Sequence, residues 1–262
     1  MKGSFLGSWT VEGHTNRMTI RVGIGGWTYA PWRGVFYPDG LPQKRELEFA
    51  GQHLTAIEIN ATYYGRQKPA SFAAWAKAVP DGFKFSLKAS RYATARKKLT
   101  EGAESVKMFL EQGFTELGDR LGPINWQMSD GKKFDRDDFA RFLDLIPDTQ
   151  NGVPLRHAVE VRDESFRDTA FLDLLRARNM AVIFADDDEF PCIDEQTADF
   201  TYARLQRSVE NVETGYADAA LDGWAQQARD WADGGRDVFA FFISGAKVRN
   251  PAAAQALIGK LA

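Results

Sequence analysis

The chain has 262 residues, 44% apolar and 26% charged, with a net charge of −3 and a sequence pI of about 5.7. That length and apolar fraction suffice for one large domain with a sizeable core. The acidic balance argues against a generally basic nucleic-acid coat, though not against a local basic patch. A single cysteine, Cys192, excludes an internal disulfide, and no apolar run is long enough to span a bilayer, so a reducing, cytoplasmic setting is expected.

The opening stretch "MKGSFLGSWTVEGHTNR" lacks both periodicity and the apolar centre of a secretory signal. Met18 stands directly before the first strand-like run, so residues 1–18 are read as a loosely packed tail and 19–262 as a single domain. Eight strand-like runs follow: "IRVGIGGW" (20–27), "AIEINATY" (56–63), "FKFSLKAS" (83–90), "GPINWQM" (122–128), "HAVEVRD" (157–163), "AVIFADD" (181–187), "FTYARLQ" (200–206) and "VFAFFISG" (238–245). Helical patterns such as "KRELEFAGQHL", "RDDFARFLDLI" and "DAALDGWAQQARDWAD" separate most of them. Strands alternating with helices imply a parallel sheet, and eight such units in about 250 residues match a closed (β/α)8 barrel of the TIM type. An open doubly wound sheet is the competitor, but "GIGGW" is not a G-x-G-x-x-G leading into a helix. One unit is irregular: "DEFPCIDEQTAD" (188–199) is a poor helix former, so the crossover between the sixth and seventh runs should be short or lack a helix.

In such barrels sites form where strand C-termini meet the following loops. The long segments "TYAPWRGVFYPDGLPQ" and "RYATARKKLTEG" fall on that side. Within the strands, polar residues alternate with apolar ones: Glu58, Asn60 and Thr62; Lys84, Ser86 and Lys88; Asn125 and Gln127; Glu160 and Arg162; Arg204 and Gln206, with Tyr202 in register and Asp186 ending the sixth run. Helices cover the outside of a barrel, so the apolar rows face out and the polar rows face in. Charges placed there must pair or reach water. They form either a structural ion network or a pocket with perturbed protonation.

The histidines, His14, His53 and His157, lie in the tail or at the opposite pole. A Ser-His-Asp triad and a histidine-bound zinc are therefore not expected. Carboxylate chemistry with cationic support remains, with Glu58, Glu160 and Lys88 as candidate catalytic residues. No cofactor is expected. A divalent cation on Glu58, Glu160 and Asp186 ranks second, because nearby lysines and arginines compete for those oxygens. Arg91 and the basic cluster around it suit an anion, and top-side aromatics such as Trp27 and Tyr63 could stack on rings. Trp32, Phe36 and Tyr37 could equally pin the first loop to the barrel.

Taken together, "VGIGGWTYAPWRGVFYPDGLP", "IEINATYY", "FKFSLKAS", "LGPINWQ", "AVEVRDESF" and "TADFTYARL" resemble the YecE-like family, a domain family of unknown function. The resemblance runs from about residue 19 to the C-terminus and implies a TIM-type barrel. It points to Glu58, Asn60, Thr62, Tyr63, Tyr64, Lys88, Gln127, Glu160, Arg162 and Arg204 as positions matching the family's motifs. The chain departs from the pattern at "GIGGW", at "WQMSD" and at "FFISGAKVRNP", where a contact made by paired asparagines would pass to Ser244, Lys247 or Arg249.

The expected substrate-binding set is thus Trp27, Asn60, Tyr63, Arg91, Gln127, Arg162, Asp186, Arg204 and Lys247. The leading reading is a barrel enzyme acting by acid/base chemistry on a small polar or anionic ligand, of sugar or sugar-phosphate type, at the C-terminal mouth. The alternatives are a nucleic-acid-binding or phosphodiester-processing barrel, and a non-catalytic binding protein with a structural ion network.

Overall fold

The structure, a computed structural model, describes residues 19–262; the tail expected over 1–18 lies outside the described residues. Eight parallel strands close into a barrel: β1 (Ile20–Gly25), β2 (Ala56–Ile59), β3 (Lys84–Lys88), β4 (Leu121–Gln127), β7 (His157–Glu160), β8 (Ala181–Asp186), β9 (Phe200–Leu205) and β10 (Asp237–Phe242). β1 closes the ring against β10 with Ile20 opposite Val238 and Ile24 opposite Phe242. Two short strands, β5 (Thr149–Gln150) and β6 (Val153–Pro154), form an antiparallel hairpin below β7. Its turn is Asn151-Gly152 with φ of 51° and 77°, the positive values that a two-residue hairpin needs.

Helices α1 (Glu46–His53), α2 (Ala61–Tyr64), α3 (Pro69–Lys77), α4 (Arg91–Thr94) and α5 (Ala103–Leu110) accompany the first half of the barrel. Helices α6 (Arg136–Leu143), α7 (Thr169–Arg176), α8 (Asp218–Ala232) and α9 (Asn250–Leu261) accompany the second. Local chemistry sets their starts. Asp135 caps α6 by accepting from the backbone of Asp137 and Asp138, and Asp168 caps α7 by accepting from Ala170. α5 stops at Leu110, and Gly113, at φ 92°, turns the chain into a 3-10 segment.

No helix joins β8 to β9. Thr197 replaces it as a tether, donating to the Met180 carbonyl at 2.7 Å and accepting from the Val182 amide at 2.8 Å. The outward row, including Ile24, Ile57, Ile59, Phe85, Leu87, Trp126, Val159 and Leu205, is buried beneath the helices in one continuous core. Each such side chain contributes roughly 1.5–3 kcal/mol of burial. Among the described residues no helix is long and apolar enough to cross a membrane.

The inward rows sort by height. At mid-height Ala56, Ala158, Ile183, Tyr202 and Phe241 form an apolar plug. Gly23 lets β1 approach β2 closely there, since a Cβ would lie 1.9 Å from the Ala56 carbonyl oxygen. The polar residues therefore sit above and below the plug rather than filling the barrel.

Two strand limits differ from the sequence pattern. β2 ends at Ile59, and Asn60 has helical torsions (φ −87°, ψ −17°) that open α2. β7 ends at Glu160, leaving Arg162 in the loop above.

Candidate active site

Strand register gathers the upper polar layer. Glu58 lies opposite Ser86, Lys88 opposite Asn125, Gln127 opposite Glu160, and Arg204 opposite Ala185. Arg204 is the hub. Its Nη1 donates to both oxygens of Glu160 at 2.6 Å, and its Nη2 lies 3.3 Å from Glu58 Oε1. The Asn125 amide donates to Glu58 at 3.3 Å and to Glu160 at 3.4 Å. The Tyr202 hydroxyl, rising from the plug, donates to Glu58 Oε2 at 2.5 Å. Gln127 Oε1 is a weaker acceptor for Arg204 at 3.5 Å.

These groups are sealed, with Glu58 and Asn125 at 0% exposure, Glu160 at 1% and Arg204 at 2%. Burial opposes ionisation of Glu160, but Arg204, Arg162 and Lys88 outweigh it and hold the carboxyl below its usual range. For Arg204, burial is outweighed by Glu160 and Glu58, which raise its proton affinity. Burial, followed by the Glu58 charge, keeps Tyr202 protonated far above the usual phenol range. The arrangement is a fixed, ionised clamp.

Lys88 stands apart from it. Its Nζ lies 4.4 Å from the centre of the Tyr63 ring, with no carboxylate within salt-bridge distance among the described residues. Burial and then the Arg204 charge lower its pKa to about 8, against the partial support of Glu58 and Glu160. At 8% exposure it is the most accessible ionisable group of the layer. With Glu58, Glu160 and Arg204 it leaves the layer formally neutral, two charges of each sign. Asn125 Oδ1 and Arg204 Nε, both buried, have no hydrogen-bond partner among the described residues.

The structure therefore brings together Glu58, Glu160, Lys88, Gln127 and Arg204, with Tyr63 over Lys88 and Arg162 at the rim. Arg162 donates to Asp130 at 2.6 Å, lies 3.8 Å from Glu160, and covers the Phe190 ring. Other members of the expected set lie elsewhere. Asp186 faces Arg207 at 3.4 Å; burial raises its pKa while Arg207 opposes the rise. Glu58 and Glu160 are instead held together by Arg204, and no group of three or more metal-ligating side chains converges among the described residues.

Arg91 is at the exposed rim, donating to Tyr92 and lying over the Tyr64 and Tyr92 rings. Trp27 packs edge-on against Trp75 and Phe85. Lys247 covers Tyr29, while its carbonyl accepts from Trp32 at 2.9 Å. Asn60 sits beside Gly25, with its Nδ2 3.0 Å from where a Cβ would be. Lys84 is inward but at the opposite pole, donating to the Asp119 carbonyl at 2.5 Å. Thr62 donates to the Lys88 carbonyl at 2.7 Å and so ties α2 to β3. Tyr202, absent from the expected set, proves central; its place in register with Arg204 is the sequence signal for it.

Fold and site together define a (β/α)8 barrel whose C-terminal mouth is floored by a buried Arg–Glu clamp with a desolvated lysine beside it. The chain belongs to the family described as "Protein of unknown function DUF72", whose model matches residues 21–262. A DUF72 family protein from Thermotoga maritima is 22% identical, with a TM-score of 0.71 over 92% of this chain and 98% of that one. D-psicose 3-epimerase, solved in the presence of D-fructose, is 14% identical, with a TM-score of 0.51 over 88% of this chain and 89% of that one. SacUVDE is 12% identical, with a TM-score of 0.54 over 92% and 98%. At these identities the likeness shows the shared barrel fold. No curated protein matches the chain.

Proposed function

We propose that the protein is a barrel enzyme that moves a proton on a small polar or anionic, carbonyl-bearing substrate of sugar or sugar-phosphate type. One observation carries the reading: Lys88 is a desolvated amine with a pKa of about 8, poised over an ionised clamp instead of being neutralised by it. A base works best when its pKa lies near the working pH. Neutral Lys88 takes the proton from the carbon beside the carbonyl, and the electron pair moves onto the carbonyl oxygen. Arg162, close enough to lower the proton affinity of Lys88, offers that oxygen a cation. Passage of the adjacent hydroxyl's proton to that oxygen, with return of the proton from Lys88 to the carbon that had carried the carbonyl, completes an isomerisation. Glu58, Glu160 and Arg204 set the field and hold the strands, and transfer no proton themselves.

The test is exchange of substrate C–H for solvent deuterium, followed by NMR across aldoses, ketoses and their phosphates. Exchange should occur with the native chain and vanish in Lys88→Met. Its absence across the panel, or its survival in the variant, overturns the reading.

A second reading rests on a different feature. A groove of about 840 Å³ beside the mouth is lined by Arg96, Lys97, Lys98, Lys132, Lys133 and Arg141, and Tyr64 and Tyr92 are exposed nearby. Single-stranded nucleic acid would use such a cationic track with stacking platforms. Asp130, Asp135, Asp137 and Asp138 share the groove and weaken its field. Binding that falls steeply with salt would support this reading, and salt-insensitive or absent binding would end it.

A further inference from the structure

At the pole opposite the mouth, a second polar layer lies beneath the plug. Arg21 from β1, Lys84 from β3, Asp237 from β10 and Arg156, just before β7, line a cavity of about 240 Å³ together with Phe239 and Gly122. At ~30 Å³ per water the cavity has room for roughly eight waters. Its three cations face one carboxylate in its lining.

Asp237 is already engaged: Arg156 donates to it at 2.7 Å, and Arg21 Nη1 lies 3.6 Å away. Among the described residues Lys84 has only a carbonyl, that of Asp119, as its hydrogen-bond acceptor. Arg21 Nη1 is buried and has no hydrogen-bond partner among the described residues. The two guanidinium groups lie over the faces of phenylalanines, Arg21 over Phe239 at 5.6 Å and Arg156 over Phe200 at 5.4 Å. The rings fix both forks on the cavity floor, where planar donors suit a tetrahedral oxyanion.

The cations also burden one another. Burial first and then Arg21 lower the proton affinity of Lys84, and burial, only partly offset by Asp237, lowers that of Arg21. A half-buried excess of positive charge, which Asp119 beside Lys84 offsets only in part, is costly unless a counter-charge shares the space.

We propose that this N-terminal pole of the barrel is a binding site for a phosphate-type dianion, held by Arg21, Lys84 and Arg156. The site is separated from the mouth by the Tyr202–Phe241 plug and is independent of the chemistry proposed for Lys88. The ligand is either free phosphate or the phosphate of a small monoester, which the remaining volume can house.

The test is thermal unfolding at constant ionic strength, with chloride replaced stepwise by inorganic phosphate or by glycerol phosphate. The native chain should show a saturable rise in Tm with phosphate that chloride does not give. A midpoint at least tenfold lower for glycerol phosphate assigns the site to a monoester, and equal or higher midpoints assign it to the free anion. Arg156→Met, at a half-exposed position that tolerates change, and Lys84→Met should each weaken the midpoint at least tenfold while unfolding cooperatively without phosphate. Lys88→Met should keep the response. An identical response to chloride and phosphate, or undiminished midpoints in both floor variants, overturns the proposal.

Discussion

Arg204 and Glu160, 44 residues apart in sequence, meet with one guanidinium nitrogen 2.6 Å from both carboxylate oxygens, in a layer closed to solvent. A buried pair of this kind gains little over a well-packed apolar pair, yet losing one member strands the other. Glu58 already shares Arg204 at 3.3 Å and cannot replace a bidentate partner without moving. Glu160→Gln should therefore destabilise the chain by about 3–5 kcal/mol, read as a lower midpoint in urea unfolding. The double change Glu160→Leu with Arg204→Met should cost less than the two single changes summed, because the second removal no longer leaves the first partner unpaired, a non-additivity that a double-mutant cycle would measure.

Lys88 gives the stability a slope in alkali. Its pKa is about 8 in the folded chain, against about 10.4 for an unfolded lysine. Between these values the unfolded chain binds more protons than the folded one, so stability rises with pH across that window. The burial penalty is fully present below pH 8 and relieved as pH climbs toward 10.4; a gap near 2.4 units corresponds to roughly 3 kcal/mol. Lys88→Met should remove this rise and be at least as stable as the native chain at pH 7. Tm measured from pH 7 to 10.5 in both proteins checks it, and parallel curves would refute it.

The barrel and the inward turn of its polar rows were legible because both follow from period and burial. Alternation names a face but not a height. Lys84 and Lys88 share one inward row, yet the Phe241 and Tyr202 plug lies between their layers and sends them to opposite poles. Periodicity also fails where a strand stops early. "AIEINATYY" leaves the β conformation after Ile59, so Asn60, Thr62 and Tyr63 belong to a helical turn, and Tyr63 reaches Lys88 from above. Gly26, at φ 72°, breaks the alternation after β1, and Trp27 falls onto Trp75 instead of into the mouth. Arg91, Asp186 and Lys247 lie at or beyond strand ends, where neighbours no sequence pattern reveals decide direction.

The helix-free crossover predicts a weak point with a named cause. Thr197 both donates to Met180 and accepts from Val182, and it is buried. Valine keeps the shape but leaves a buried amide and a buried carbonyl without that partner. Thr197→Val should cost about 1–3 kcal/mol. It should also speed hydrogen exchange at Val182, relative to amides in β1, in a native-state experiment. Unchanged protection at Val182 would show that the segment holds without the tether.

His157 sets the response to acid. Trp126 Nε1 donates to its Nδ1 at 3.1 Å, so Nε2 carries the hydrogen and donates to the Pro147 carbonyl at 2.9 Å. The ring is thus neutral and doubly bonded beneath the barrel wall. Burial lowers its pKa to about 4, against modest support from Pro147 and Asp148. An unfolded histidine titrates near 6.5. Between pH 6.5 and 4 the unfolded chain holds the extra proton, so stability falls as pH drops through that window and levels off below it. The gap corresponds to roughly 3 kcal/mol. His157→Gln offers an acceptor and a donor without a titrating ring. It should be less stable than the native chain at pH 7, because its amide cannot match both ring contacts. Its urea midpoint should nevertheless fall less steeply than that of the native chain from pH 6.5 to 4, so that the two curves converge in acid. Curves that stay parallel would place the acid sensitivity outside His157.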